Sequence, residues 1–401
     1  LVMNLEEEQP WLLDSYLGLR LSNQQQNTQF EDLNLLYTSA LTLRHRNVSG
    51  RAWEVGGGVS HDNLITQPLD VLGDWASWTA GPFFKNPRLL GTRIQLASEL
   101  IFEQNMSSQR VAYVQRLRTS TTLSYDFYQL SFPRMWGRGL RFDLTLEGRA
   151  ERQRPISNSS ERRAFSDVAP SFEIGPTIVY DRRDHPIHPT RGFYLTAGLD
   201  FLGSQNQTQN IGISYRETLS AQWVGGWFKR RLLLVPSLKL GAVQSVLSND
   251  QLTASRSDFL FIAGGDRVSY PVRGYPIGAI NTCQIKELQR GRCGEPYLEV
   301  APTTSDLLNF SGRALINMSI ESRVSSLIIP NLWLAAFSDV GAVSEGISDF
   351  TLESFYPSVG VGVRYLFYGQ VPLRFDIAYP LRSTFLSAQE PNYIFDFFYT
   401  F

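Results

Sequence analysis

Val371-Pro372-Leu373-Arg374-Phe375-Asp376-Ile377-Ala378-Tyr379 carries Val, Leu, Phe, Ile and Tyr at its odd positions, with Arg374, Asp376 and Ala378 between them. Successive side chains of a β-strand point to opposite faces, so this stretch has one apolar face and one charged face. The same pattern continues outward. Tyr356–Leu366 sets Val359, Val361, Val363 and Tyr365 against Ser358, Gly360, Gly362 and Arg364. Arg313–Val324 sets Ala314, Ile316, Met318 and Ile320 against Arg313, Asn317, Ser319 and Glu321. Asn392–Phe401 puts Tyr393, Phe395, Phe397, Tyr399 and Phe401 on one face.

A water-soluble sandwich also alternates, so three further features decide the class. The apolar faces are rich in aromatics near strand ends, as the interfacial girdles of a membrane barrel require. Connections alternate short and long, and the pattern runs to the final aromatic, Phe401. Alternating runs fall at 11–21, 33–45, 51–63, 74–86, 91–105, 117–131, 139–152, 168–182, 192–204, 210–228, 230–246, 309–323, 331–344, 354–368, 371–381 and 392–401. The expectation is an all-β, transmembrane antiparallel barrel of about sixteen strands, an even number as single-chain barrels prefer. If both ends face the periplasm, short turns fall at Asn47–Gly50, Asn86–Gly91, Pro133–Gly139, Asp184–Gly192, Lys229–Arg231, Pro330–Asn331 and Tyr368–Gln370.

Composition agrees with this class. The chain has 401 residues, 12% of them aromatic, and a formal net charge of -1. No run approaches the ~20 consecutive apolar residues of a membrane helix. Near-neutral charge without a basic run offers nothing to nucleic acid. The four histidines, His45, His61, His185 and His188, give little basis for a hydrolase, which needs a nucleophile with a positioned base. No cofactor and no metal are expected. Residues 1–10 lack the basic and apolar regions of a signal peptide. They are therefore expected to be a linker from a preceding region, with the barrel at 11–401.

The sixth outer connection, about Leu247–Leu308, dwarfs the others. Its segment Gly264-Gly265-Asp266-Arg267-Val268-Ser269-Tyr270-Pro271-Val272-Arg273-Gly274-Tyr275 predicts a loop folded into the lumen, since so long a loop needs anchoring. Arg273 is the expected anchor; Gly274 permits a tight turn and Tyr275 can pack on the wall. Strand parity supplies two inward acids, Glu321 and Asp339, that a guanidinium could hold. Gly360 and Gly362 face the same way and would leave room for the loop. Cys283 and Cys293, ten positions apart in this loop, read as a local disulfide, with two unrelated thiols as the alternative.

Several of these motifs, in order, resemble the barrel of the BamA/TamA-type outer-membrane assembly factors, the bacterial surface-antigen superfamily. They are Val272-Arg273-Gly274-Tyr275 after Gly264-Gly265, then Glu321, Phe337-Ser338-Asp339-Val340-Gly341, Ser358 through Tyr365, and Phe375 through Leu381. Asp181-Arg182-Arg183-Asp184 through Pro189-Thr190-Arg191-Gly192-Phe193 is similar to that family's mid-barrel turn. The likeness covers about residues 170–401; the first 170 fit by strand number alone. It implies a sixteen-stranded barrel in the bacterial outer membrane, preceded by periplasmic POTRA domains.

It also implies partners: unfolded outer-membrane β-barrel clients, the surrounding lipid, and accessory subunits in the periplasm or inner membrane. The implied function is insertion of clients at a lateral seam between first and last strands, here Leu12, Leu13 and Tyr16 beside Tyr393, Phe395, Phe397, Tyr399 and Phe401. The alternatives are a passive porin-like channel and a dedicated exporter of a single partner. Conductance measurements would separate the first from an assembly factor, and the region preceding Leu1 would separate the second.

Overall fold

The computed structural model describes residues 11–22, 34–48, 50–64, 77–106, 112–127, 139–155, 169–185, 189–205, 211–228, 231–247, 260–261, 263–265, 270–276, 279–280, 312–326, 328–367, 371–384 and 389–400. Within them the chain forms sixteen antiparallel strands. The first eight are β1 (Trp11–Ser22), β2 (Asn34–Val48), β3 (Trp53–Leu64), β4 (Ser77–Asn86), β5 (Ile94–Met106), β6 (Ala112–Asp126), β7 (Leu140–Pro155) and β8 (Ala169–Asp181). The rest are β9 (Gly192–Gln205), β10 (Ile211–Trp227), β11 (Leu232–Leu247), β12 (Ala314–Ser325), β13 (Leu332–Ser344), β14 (Tyr356–Phe367), β15 (Val371–Pro380) and β16 (Asn392–Thr400). Each strand pairs with its neighbours in sequence, and β1 pairs with β16, so the sheet closes on itself. Closure removes the free edges that lipid cannot satisfy.

The pleat sorts side chains as the alternation predicts. On β13, Leu334 and Ala336 are exposed outward, while Ala335, Phe337 and Asp339 are buried inward. The outer surface carries a band of apolar residues such as Leu100, Phe102, Leu146, Phe172, Phe201, Trp223 and Val361. The inner wall is laced by ion pairs from β5 to β10. Arg116 reaches both Glu103 and Glu151 at 2.8 Å, and Arg149 reaches Glu173 at 3.1 Å. Arg216 joins Glu173 at 2.6 Å and Asp200 at 3.0 Å.

The buried apolar core therefore lies inside the barrel and is supplied by the long β11–β12 connection. Phe261, Ala263, Val272, Tyr275, Ala279 and Ile280 pack on Val243, Leu315, Val343 and Tyr356 of the wall. The connection also carries short bridges of its own, Gly265 to Val272 and Ala263 to both Tyr270 and Ile280, and Phe261 pairs with Gly312.

Three expectations about the strands need correction. The sixth strand is Ala112–Asp126, five residues earlier than the expected 117–131. Its outward positions include Thr119 and Thr121, which blur the apolar count. The connection after it runs from Phe127 to Gly139, so it is not the short turn expected at Pro133–Gly139. The twelfth strand begins at Ala314, which lengthens the preceding loop beyond Leu308.

Candidate functional site

The segment Val272–Tyr275 makes a tight turn: the Tyr275 amide donates to the Val272 carbonyl at 3.3 Å, and Gly274 has φ +95°. A positive φ at the third turn position suits glycine, as in a type II turn. A side chain at Gly274 would also press on Ser358 and Ala378, so the turn rests directly on β14 and β15. The turn aims Arg273 along the inner wall and Tyr275 into the apolar core.

Arg273 is 6% exposed. Its Nε donates to Asp339 Oδ2 at 2.6 Å and its Nη2 to Asp339 Oδ1 at 2.7 Å, a bidentate fork. The Arg273 backbone amide also donates to Asp339 Oδ2 at 3.2 Å. Nη1 donates to Glu321 Oε2 at 2.6 Å, and the guanidinium lies 3.5 Å from the centroid of the Phe337 ring. Ser319 Oγ completes the carboxylate by donating to Asp339 Oδ1 at 2.6 Å. Such charge-assisted, partly dehydrated contacts are the strong class of hydrogen bond. Burial alone disfavours the Arg273 cation. The hydrogen bond and charge of Asp339, with Glu321 and Asp376, outweigh it and hold the guanidinium above its ordinary value.

The structure thus brings Arg273, Glu321 and Asp339 together. It adds residues that the sequence reading had not assigned. Asp376 is fully buried; Arg374 Nε donates to its Oδ2 at 2.7 Å, and Arg364 grips it with both Nη groups. Arg364 also reaches Glu321 Oε2 at 3.2 Å, and Arg323 reaches Glu321 Oε1 at 2.8 Å. Three carboxylates and four guanidiniums from the loop and β12–β15 form one network. Arg364 and Asp376 share the inward parity of Glu321, so alternation could have found them.

Gly360 and Gly362 do face inward, but their vacated space is not taken by the loop. A side chain at Gly360 would strike the Phe337 ring, and one at Gly362 would strike Asp376. The glycines make room for the groups that hold Arg273, while the loop presses instead on Gly341, where Val272 occupies the space.

Tyr275 is fully buried; its hydroxyl donates to the Pro357 carbonyl at 2.8 Å and accepts from the Arg382 amide at 3.3 Å. Burial pushes that hydroxyl up to about 12, so it stays protonated at neutral pH. Tyr275→Phe should lower stability by about 1 kcal/mol, the net value of one hydrogen bond. A urea midpoint equal to wild type would show that the hydroxyl contributes nothing.

At the seam, Tyr16–Ser22 pair with Ile394–Thr400. Of the expected seam residues, Tyr16, Phe395, Phe397 and Tyr399 lie in this ladder. Leu12 and Leu13 pair with Arg44 and Leu43 of β2, and Tyr393 pairs with Ile377 of β15. Phe401, Cys283 and Cys293 lie outside the described residues. Among the described residues, no group of His, Cys, Asp or Glu could hold a metal ion.

The model of the Omp85 superfamily domain matches residues 47–398. The chain belongs to the Omp85 superfamily. This Omp85 barrel is an outer-membrane protein, and it is similar in fold to solved members of the group. BamA from Haemophilus ducreyi, solved without POTRA domains 1–3, superposes with a TM-score of 0.67 at 14% identity, covering 99% of this chain and 71% of that one. CdiB from Acinetobacter baumannii gives 0.59 at 11% identity, covering 98% and 60%. CdiB from Escherichia coli gives 0.55 at 13% identity, covering 99% and 64%. The chain therefore spans less than two thirds of either CdiB. No curated protein matches the sequence.

Proposed function

We propose that this Omp85 barrel inserts β-barrel clients into the outer membrane through the β1–β16 seam. The observation that carries this reading is the lumen loop, riveted to the wall through Arg273 while β1 and β16 meet each other only through Tyr16–Ser22 and Ile394–Thr400. A plugged lumen argues against a passive pore. Opening of this seven-pair seam would uncover an edge on which an incoming strand can template without exposing its backbone to lipid. Burial of the client's lipid-facing side chains supplies the driving force, so no nucleotide is required. Clients, lipid and POTRA domains preceding residues 1–10 belong to this proposal, as do accessory subunits.

A second reading is dedicated export of one partner, which would use the same barrel fold that this chain shares with both CdiB structures. Leu19 and Phe397 are register partners across the seam. Oxidised Leu19→Cys/Phe397→Cys protein should lose client insertion by at least roughly tenfold and regain it on reduction, since strand addition at the edge is then blocked. The same double substitution in a background lacking Cys283 and Cys293 keeps the crosslink unambiguous. Full insertion by the locked barrel would refute the seam; export that survives locking would favour the second reading.

A further inference from the structure

The apolar outer face of the barrel is notched on β1–β3, near the short-turn rim. A groove of about 540 Å³ opens there, lined by Trp11, Leu43, His45, Val48, Val55, Gly56 and Gly57. The volume falls within the roughly 300–1,000 Å³ of ligand clefts. Register explains the hollow. Leu13, Leu43, Gly57 and Pro82 are successive partners across β1–β4, and Gly57 leaves a gap in that row. A side chain at Gly57 would meet the Gly81 and Pro82 backbone at 3.4 Å and beyond, which is ordinary contact, so a larger residue fits there. In the row nearer the rim, Trp11, His45, Val55 and Phe84 are partners in the same way, and Trp11 stands edge-on to His45 with ring centroids 4.7 Å apart. Trp11, Leu43 and Val55 are all exposed on the lipid-facing side.

The same face of β3 continues from the groove to a polar rim. Trp53 follows Val55 on that face and pairs with Val48. Its ring is edge-on to Phe84, with centroids 5.8 Å apart, and the Arg51 guanidinium lies 5.3 Å from its centroid. Arg51 is exposed in the β2–β3 turn. Tryptophans of a membrane protein gather at the headgroup level, which sets Arg51 among lipid phosphates. At the rise of an extended strand, Gly57 stands about 13 Å from Trp53. One leaflet's share of the hydrocarbon core is about 15 Å, so the notch lies within the acyl layer of the same leaflet. Short turns of such barrels face the periplasm, and the leaflet on that side is built of glycerophospholipid.

We propose that this groove holds one anionic glycerophospholipid, with an acyl chain in the notch at Gly57 and the headgroup phosphate on Arg51. The ligand class follows from the two ends of the site. Apolar walls on several sides give a seated chain more contacts than a smooth stretch of the band can. A guanidinium matches a phosphate through paired, charge-assisted hydrogen bonds. The chain seated against Trp11 lies beside β1, so the lipid is held next to the seam and does not exchange with the rest of the lipid belt. This goes beyond client insertion and holds or fails without it.

The test is native mass spectrometry of the full-length protein in a non-ionic detergent, titrated with phosphatidylglycerol or with zwitterionic phosphatidylcholine. A first phosphatidylglycerol should bind well before further copies. It should bind about fivefold more tightly than phosphatidylcholine, the scale of one basic side chain near an anionic lipid surface. Arg51→Gln should erase that preference. Gly57→Leu fills the notch and should abolish the early-binding copy of either lipid. Ile320→Trp changes the exposed outer band on β12, nearly opposite in the strand order, and should bind lipid as wild type does. Heat-modifiable gel mobility checks that each variant is folded. Equal affinity for the two lipids in the wild type would overturn the proposal, as would a folded Arg51→Gln that keeps the preference. So would a folded Gly57→Leu that keeps the early copy, or an equal loss in Ile320→Trp, because lipid would then coat the belt without a site. No client takes part, so failure of client insertion leaves this result untouched.

Discussion

Arg273→Glu should abolish the folded, loop-filled state of the barrel. The substitution replaces a guanidinium that is 6% exposed with a carboxylate facing Asp339, Glu321 and Asp376. Removing one partner of a buried pair costs about 3–5 kcal/mol, because the remaining charges are left buried without compensation. Reversal adds like-charge repulsion to that loss. Loss of heat-modifiable mobility, a fall in the urea midpoint and loss of client insertion are expected together. Arg273→Lys should fall between this variant and wild type. It keeps the charge but loses the planar fork that holds both oxygens of Asp339 and stacks on Phe337. A reversal variant with wild-type mobility and midpoint would remove the clamp from the account of stability.

Asp376→Ala should have the second largest effect, although Asp376 makes only a long contact with the loop, 3.6 Å from Arg273 Nη1. Its carboxylate is fully buried and joins Arg364 of β14 to Arg374 of its own strand. Without it Arg364 loses one of its two carboxylates and Arg374 loses the oxygen it donates to at 2.7 Å, and the cost should again be about 3–5 kcal/mol. Glu321→Gln and Asp376→Ala share Arg364 as a partner. Their combined effect should therefore depart from the sum of the two, as expected for residues in one network. Midpoints that add within experimental error would show that Arg364 does not couple them.

How much of this was legible before the fold was known depended on whether the information was local. Strand identity is local: alternation in Val371–Tyr379 or Arg313–Val324 already names the inward face. Arg273, Glu321 and Asp339 could therefore be grouped from parity and loop length. Register is not local, since it is set by hairpins and by neighbours across the sheet. Nothing within Val371–Tyr379 alone says that Asp376 stands beside Gly362, or that Arg374 stands beside Arg364. For the same reason the ion-pair ladder of Arg116, Arg149 and Arg216 went unread, although each residue is visibly out of phase with its apolar neighbours. The glycines were assigned the right face and the wrong tenant, because a missing side chain reveals a space without revealing what fills it. On β6, threonines facing lipid weakened the signal enough to move the strand by five residues.

Among the described residues, the side chains that hold Arg273 all come later in the chain than Arg273 itself, on β12, β13 and β15. The docking platform is thus built after the part that docks, and such long-range contacts form slowly because loop closure precedes any reward. An interrupted or stalled C-terminal third leaves the keystone in place with no arch to receive it. Protease cleavage within this connection would then report, during biogenesis, how far the last quarter of the polypeptide has progressed.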